Sequence, residues 1–306
     1  MQNKKGFLDI SFSWVFAVIV GAIILFGAIY FVNKSANIQN SISSATTGTG
    51  LLNLLTPLET GLESGKSITI TLSVNSRINH NCNSFGTFGK ETIWIDEFIN
   101  KKWTSQNIKI DPIDKYLFFP KVLEGKELYV FSKPFDFPFK IANLIYFSDA
   151  QKKYCFKGFP QDKENELKNM EVKNFEFGSC SDGSVKICFN SNSDCDIEVN
   201  YNLRIVEKEN EAVYFEGDSL MYAAIFSDKD IYECELERLV KRAGKLSEIY
   251  QEKSLNLISV GCDSSVEFSG YRSELSKFNG SEDLSLIAQS ANSMNSINKY
   301  SGCTLW

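Results

Sequence analysis

From Ile10 to Val32 the chain runs 23 residues without a charged side chain. At 1.5 Å rise per residue such a helix spans roughly 34 Å, slightly more than the ~30 Å hydrocarbon core of a bilayer. The pattern predicts a transmembrane helix over residues 10–32. The apolar part of a cleaved secretory signal is shorter, about 7–15 residues, and Asn33-Lys34-Ser35 makes a poor small-residue cleavage site. Ser35 to Gly50 is polar and reads as a stalk or helix extension. Leu51, Leu55, Leu58 and Leu62 then recur at helical spacing, the stripe of an amphipathic helix, with Pro57 expected to kink it or to sit in its first turn.

At Ser67 the period changes to two. Residues 67–74, Ser-Ile-Thr-Ile-Thr-Leu-Ser-Val, predict a half-buried strand. Further strands are expected over Thr92–Ile95, Leu128–Phe131, Ile141–Phe147, Tyr154–Phe156, Val172–Phe177, Val185–Phe189 and Ile197–Val206, with hairpin turns at Asp182-Gly183 and at 190–194. The last third returns to helical spacing: one long helix from Asp218 to about Leu257, and a second from Ser281 to Tyr300. Ser281 is the expected cap of the second, with Leu284, Ile287, Ala288 and Met294 inward. The expected fold class is α+β: an N-terminal transmembrane helix, a β-rich exterior domain (antiparallel sheet or sandwich), and C-terminal helices packed on it. Its segments are a cytoplasmic N-terminus (1–9), the span (10–32), a stalk or amphipathic helix (33–66), the β-rich domain (67–216) and a helical region of that domain (217–306).

Charge sets the orientation. Lys4 and Lys5 precede the apolar run and only Lys34 follows closely, so the positive-inside rule places the N-terminus in the cytoplasm and the rest outside the cell membrane. Trp14 and Tyr30 fit interfacial aromatics. Beyond Lys34 the chain carries 29 basic against 37 acidic side chains, which excludes a nucleic-acid partner. Ser13, Ala17, Gly21 and Ala28 line one helix face with small residues, a surface on which another copy of the helix could pack. The expected partners are membrane lipid through residues 10–32, a second copy through the span, and another surface protein.

All eight cysteines, at 82, 155, 180, 188, 195, 234, 262 and 303, lie beyond the apolar run. An even number confined to one side of a span indicates disulfides in an oxidising exterior. Cys188 and Cys195 flank a tight turn between two strand patterns and are expected to pair. Cys234, early in the long helix, is expected to meet Cys303, after the last one, through antiparallel packing. No CxxC pair exists, and neither a metal nor a cofactor is expected.

Several short motifs resemble functional ones. Gly217-Asp218-Ser219-Leu220 spells the nucleophile block of GDSL-type hydrolases, but no histidine follows His80; Asp218 or Ser219 is read instead as a helix cap. The run from Thr60 to Ser67 nearly matches a phosphate-binding loop, with helix and strand in inverted order. Asn190, Asn192, Asp194 and Asp196 alternate as in a calcium loop, without its glycine or final glutamate. Asn279-Gly-Ser281 is an N-glycosylation acceptor, and His80 reads as a loop residue.

Lys4-Lys5-Gly6, followed by Phe7 and the long apolar run, resembles the class III signal of archaeal type IV pilin-like proteins. The resemblance covers about the first 32 residues. It implies cleavage between Gly6 and Phe7, with the apolar helix kept as the core of a filament. Ser11 stands where bacterial-type pilins carry a glutamate, and Asp9 is the nearest acid. The expected function is a noncatalytic, membrane-anchored surface protein. The alternative is a subunit of a type IV pilus-like filament, and the third an exterior hydrolase.

Overall fold

The structure, a computed structural model, describes residues 18–30, 50–60, 67–104, 109–190 and 194–306. Six strands build sheet A: β1 (Ser67–Asn83), β2 (Lys90–Ile99), β3 (Lys102–Thr104), β4 (Tyr116–Phe118), β5 (Val122–Asp136) and β6 (Lys140–Asp149), in the order β3-β2-β1-β5-β6-β4. The alternating run that begins at Ser67 continues well past Val74, because β1 lies between two antiparallel partners, β2 and β5, that occupy both of its edges. A register shift between Thr71 and Ser76 lets the strand bend as it passes from one half of the sheet to the other.

Alternate side chains of the central strands divide between two apolar cores, as the period of two requires. Tyr129, Phe131, Leu144 and Tyr146 enter the main core, while Leu128, Val130, Ile145 and Phe147 enter a second one. The second core is closed by helical residues 50–60 (α1), whose Leu51, Leu55 and Leu58 are fully buried, as the leucine stripe predicts. Helix α1 continues through Pro57; Leu62 lies outside the described residues. Ser132 Oγ donates to Leu58 O at 3.3 Å, and Lys115 pairs with Glu59, which pins the helix end to the sheet.

Sheet B holds β7 (Tyr154–Lys157), β8 (Phe175–Phe177), β9 (Val185–Phe189), β10 (Ile197–Asn200), β11 (Ile205–Lys208) and β12 (Glu211–Tyr214), in the order β12-β11-β10-β9-β7-β8. A short helix α2 (Gln161–Asn169) joins β7 to β8. Between and beside the sheets lie α3 (Gly217–Phe226), α4 (Lys229–Ile258), α5 (Ser269–Lys277), a 3-10 turn at Ser281–Asp283, and α6 (Leu284–Tyr300). Residues Leu220 to Phe226 of α3 are all buried, so this helix fills the centre of the main core.

The expected fold class is corrected on three points. Among the described residues no helix is long and apolar enough to cross a membrane. Of the predicted span, residues 18–30 are helical, and residues 10–17, 31 and 32 lie outside the described residues. Helix exceeds strand, at 40% against 32%, and both sheets are mixed. In sheet B, β8, β7, β9 and β10 are parallel, so the turns at Asp182-Gly183 and at 190–194 join strands that do not form hairpins. The predicted long helix is two helices, interrupted at Ser227 and Asp228, where extended backbone ends α3 and opens α4. The expected strand Ile197–Val206 likewise divides into β10 and β11 about a turn. In α6, Leu284, Ile287, Ala288 and Met294 are buried as predicted, but Ser281 sits in the 3-10 turn and caps nothing.

Leu55→Ala should lower unfolding free energy by about 2–5 kcal/mol in urea melts, because a fully buried side chain leaves a cavity. Its neighbour Leu54, 54% exposed, should change stability by no more than about 0.5 kcal/mol on truncation.

Candidate functional site

All eight cysteines are paired: Cys82–Cys234, Cys155–Cys180, Cys188–Cys195 and Cys262–Cys303. The Cys188–Cys195 bridge is the expected one, formed between β9 and the loop that leads into its parallel neighbour β10 instead of within a hairpin. The expected Cys234–Cys303 pair is corrected. Ser281, just before α6, donates to Glu233 near the start of α4, while Cys262 and Cys303 meet beyond the ends of both helices. Helices α4 and α6 therefore run the same way, with α5 between them, and Cys234 is left for Cys82 at the end of β1.

Beside that Cys82–Cys234 bridge lies a buried polar cluster. The β1–β2 register sets Cys82 opposite Glu91 and His80 opposite Ile93, so His80, Cys82 and Glu91 project from one face of the ladder. From α4, Cys234, Glu235 and Arg238 point back at that face, since residues three and four apart share one side of a helix. The Glu91, Glu235 and His80 side chains are wholly inaccessible to solvent. Arg238 NH1 lies 2.6 Å from Glu235 Oε2 and 3.4 Å from Glu91 Oε2, and its guanidinium covers the Tyr116 ring at 4.9 Å. His80 Nε2 lies 2.7 Å from Glu91 Oε1. Its Nδ1 faces Phe119 O at 3.5 Å, and its ring stacks on Phe119 with centroids 4.3 Å apart. One donor atom from each of His80, Glu91 and Glu235 lies within 4.8 Å of the other two.

Glycine is needed beside this cluster. Gly89 has φ of +63°, and a Cβ there would come 2.7 Å from Arg238 Cγ and 2.7 Å from Asn83 O. The hairpin after β1 closes only because nothing stands between its backbone and the arginine.

Burial governs the protonation of the cluster. Removal from water pushes the Glu91 carboxyl up to about 8 against the pull of Arg238. Burial likewise raises Glu235 to about 8, with the Glu91 charge adding to the effect. Burial lowers the His80 imidazole, so a proton kept here sits on a carboxyl.

The remaining sequence candidates lie apart from this cluster. Ser219 Oγ donates to Pro134 O at 2.5 Å, and Asp218 pairs with Lys163 and the Tyr201 hydroxyl; neither caps a helix, and no imidazole meets the serine. Asp194 and Asp196 are taken up by the ammonium and backbone N–H of Lys186; Asn190 Oδ1 accepts from Tyr201 N, and Asn192 lies outside the described residues. Asn279 is exposed in the loop between α5 and α6. Gly21 and Ala28 lie exposed in helical residues 18–30, while Ser13 and Ala17 lie outside the described residues. The Gly6–Phe7 junction and residues 61–66 of the glycine-lysine run are also outside them. An open cleft holds Lys208, Lys121 and Asp228, with burial pushing the Lys208 amine down to about 8.

His80 lies inside β1, where Asn-His-Asn-Cys had the polarity of a loop. Glu91, Glu235 and Arg238 were not singled out from sequence. The available signal was a glutamate and an arginine three residues apart, each next to a core leucine, Leu236 and Leu239. Compared with known proteins, the chain matches no family model, no curated protein and no solved structure.

Arg238→Met should cost about 3–5 kcal/mol, because it leaves two buried carboxyls without their cation. Gly89→Ala should also destabilise, with both losses read from denaturant midpoints. In chelator-treated protein the folded state holds more protons at Glu91 and Glu235 than the unfolded chain, so this contribution to stability falls as pH rises towards 8. Below pH 6.5 the lowered His80 value works in the opposite direction, and towards pH 8 so does the lowered Lys208 amine, so within the window from 6.5 to 8 the carboxyl part is read by difference against Glu91→Gln. Melting temperature should decline across that window, and the decline should shrink in Glu91→Gln.

Proposed function

We propose that the chain is a noncatalytic surface protein whose disulfide-bonded domain works outside the cytoplasm. The observation that carries this reading is the pairing of every cysteine: four bridges and no free thiol. Such bridges form and persist in oxidising compartments. The Cys82–Cys234 bridge closes a loop of 152 residues, which in the chain-entropy account limits the unfolded chain by on the order of 5 kcal/mol. A domain facing proteases and dilution gains from such linkage. The noncatalytic part rests on how the candidate nucleophile is used: Ser219 is committed to a backbone carbonyl. The domain's role is then to bind or to build, through its outer faces.

A second reading, a subunit of a pilin-like filament, is favoured by one observation. In helical residues 18–30 the side chains of Val18, Ile19, Ile23, Ile24, Leu25 and Phe26 are all more than half exposed. Contiguous apolar side chains in that state call for a covering surface, and in a filament neighbouring subunits supply it.

A membrane-impermeant amine label applied to intact cells should modify exposed lysines of the domain, such as Lys140 and Lys277. Labelling only after lysis would refute the exterior assignment. A non-reducing peptide map should return the same four bridges, with no alkylatable thiol before reduction. Sequencing of the mature N-terminus distinguishes the readings, since a start at Phe7 supports the filament.

A further inference from the structure

We propose that His80, Glu91 and Glu235 form a buried site for one divalent transition-metal ion of the zinc type, with Arg238 as the positioning residue that aims both carboxylates at it. Three donor groups come from three elements, β1, β2 and α4, and one atom of each lies within 4.8 Å of the others. Glu235 Oε1 is buried and makes no hydrogen bond, while His80 Nε2 and Glu91 Oε1, also buried, face each other 2.7 Å apart without hydrogen-bond geometry. Buried polar atoms are nearly always paired, and an ion in the space these three share would satisfy Glu235 Oε1 together with the other two.

The outer contacts fit the same assignment. Arg238 holds the Oε2 atoms of both glutamates, which leaves the Oε1 of each turned away from the guanidinium. Phe119 O lies on the Nδ1 side of His80, where a carbonyl fixes the tautomer with a lone pair on Nε2. Metal-bound histidines and carboxylates are oriented by partners of this kind. Charge points the same way. Ionised together, the two carboxylates outnumber the one guanidinium in a region without solvent, and a bound cation would take the place of the proton that otherwise compensates them. Imidazole nitrogen with carboxylate oxygen suits zinc and its neighbours better than calcium or magnesium, which prefer all-oxygen shells. A zinc ion about 2.0–2.2 Å from each donor would part His80 Nε2 and Glu91 Oε1 from the present 2.7 Å to about 3.3 Å. A shared proton is the competing source of positive charge, and it predicts no stoichiometric metal.

The test uses full-length protein with its bridges intact, stripped with EDTA and titrated with zinc chloride alone. One equivalent of zinc should survive desalting, with a rise in melting temperature. Glu91→Gln and Glu235→Gln should each weaken retention at least tenfold. If those variants fail to fold, wild-type crystals soaked in zinc decide the matter by anomalous scattering at the zinc edge. A peak within about 2.5 Å of His80 Nε2 supports the site. A peak only elsewhere, or wild-type protein that retains no zinc, overturns it.

Discussion

Sheet A carries large apolar side chains on both faces, so each face requires a cover, and the two covers come from opposite ends of the chain. Helix α1 closes one face with Leu51, Leu55 and Leu58, and the other face meets α3, α4 and sheet B. Phe131 shows the result locally: it packs against Tyr146 in its own sheet, Phe175 in sheet B, and Tyr222 and Phe226 in α3.

Where α4 passes the end of β1 and β2, apolar packing gives way to the His80, Glu91, Glu235 and Arg238 cluster. Such a cluster is costly to bury and costlier to break, since loss of one partner leaves an uncompensated charge. Placed beside the Cys82–Cys234 bridge, it ties the first hairpin to the longest helix by both covalent and electrostatic means. The glycine at 89 shows how closely the two surfaces meet.

Much of this was legible in local pattern. The alternation at 67–74, the leucine stripe of α1, the inward residues of α6 and the Cys188–Cys195 bridge all depend on neighbours within a few residues. What was missed depends on partners far along the chain. Periodicity tells which face of a strand is buried but not which strand lies beside it, so the parallel order of sheet B left no mark. His80, between two asparagines, looked like a loop residue because the groups that meet Asn79 and His80 come from β2 and the segment after β4, invisible in a single stretch. Cys234 could have met any of several cysteines, and helix direction decided it. Helix α2, with Leu167 its single buried residue, lacks the apolar stripe that would have marked it.

Hairpin β1–β2 and helix α4 form one cooperative unit, joined by Cys82–Cys234 and the charged cluster beneath it. Amide hydrogen exchange in a Cys82→Ala, Cys234→Ala variant tests this directly. If the account holds, protection falls together along β1, β2 and the first half of α4. Protection lost in the hairpin while α4 exchanges as slowly as before would contradict it.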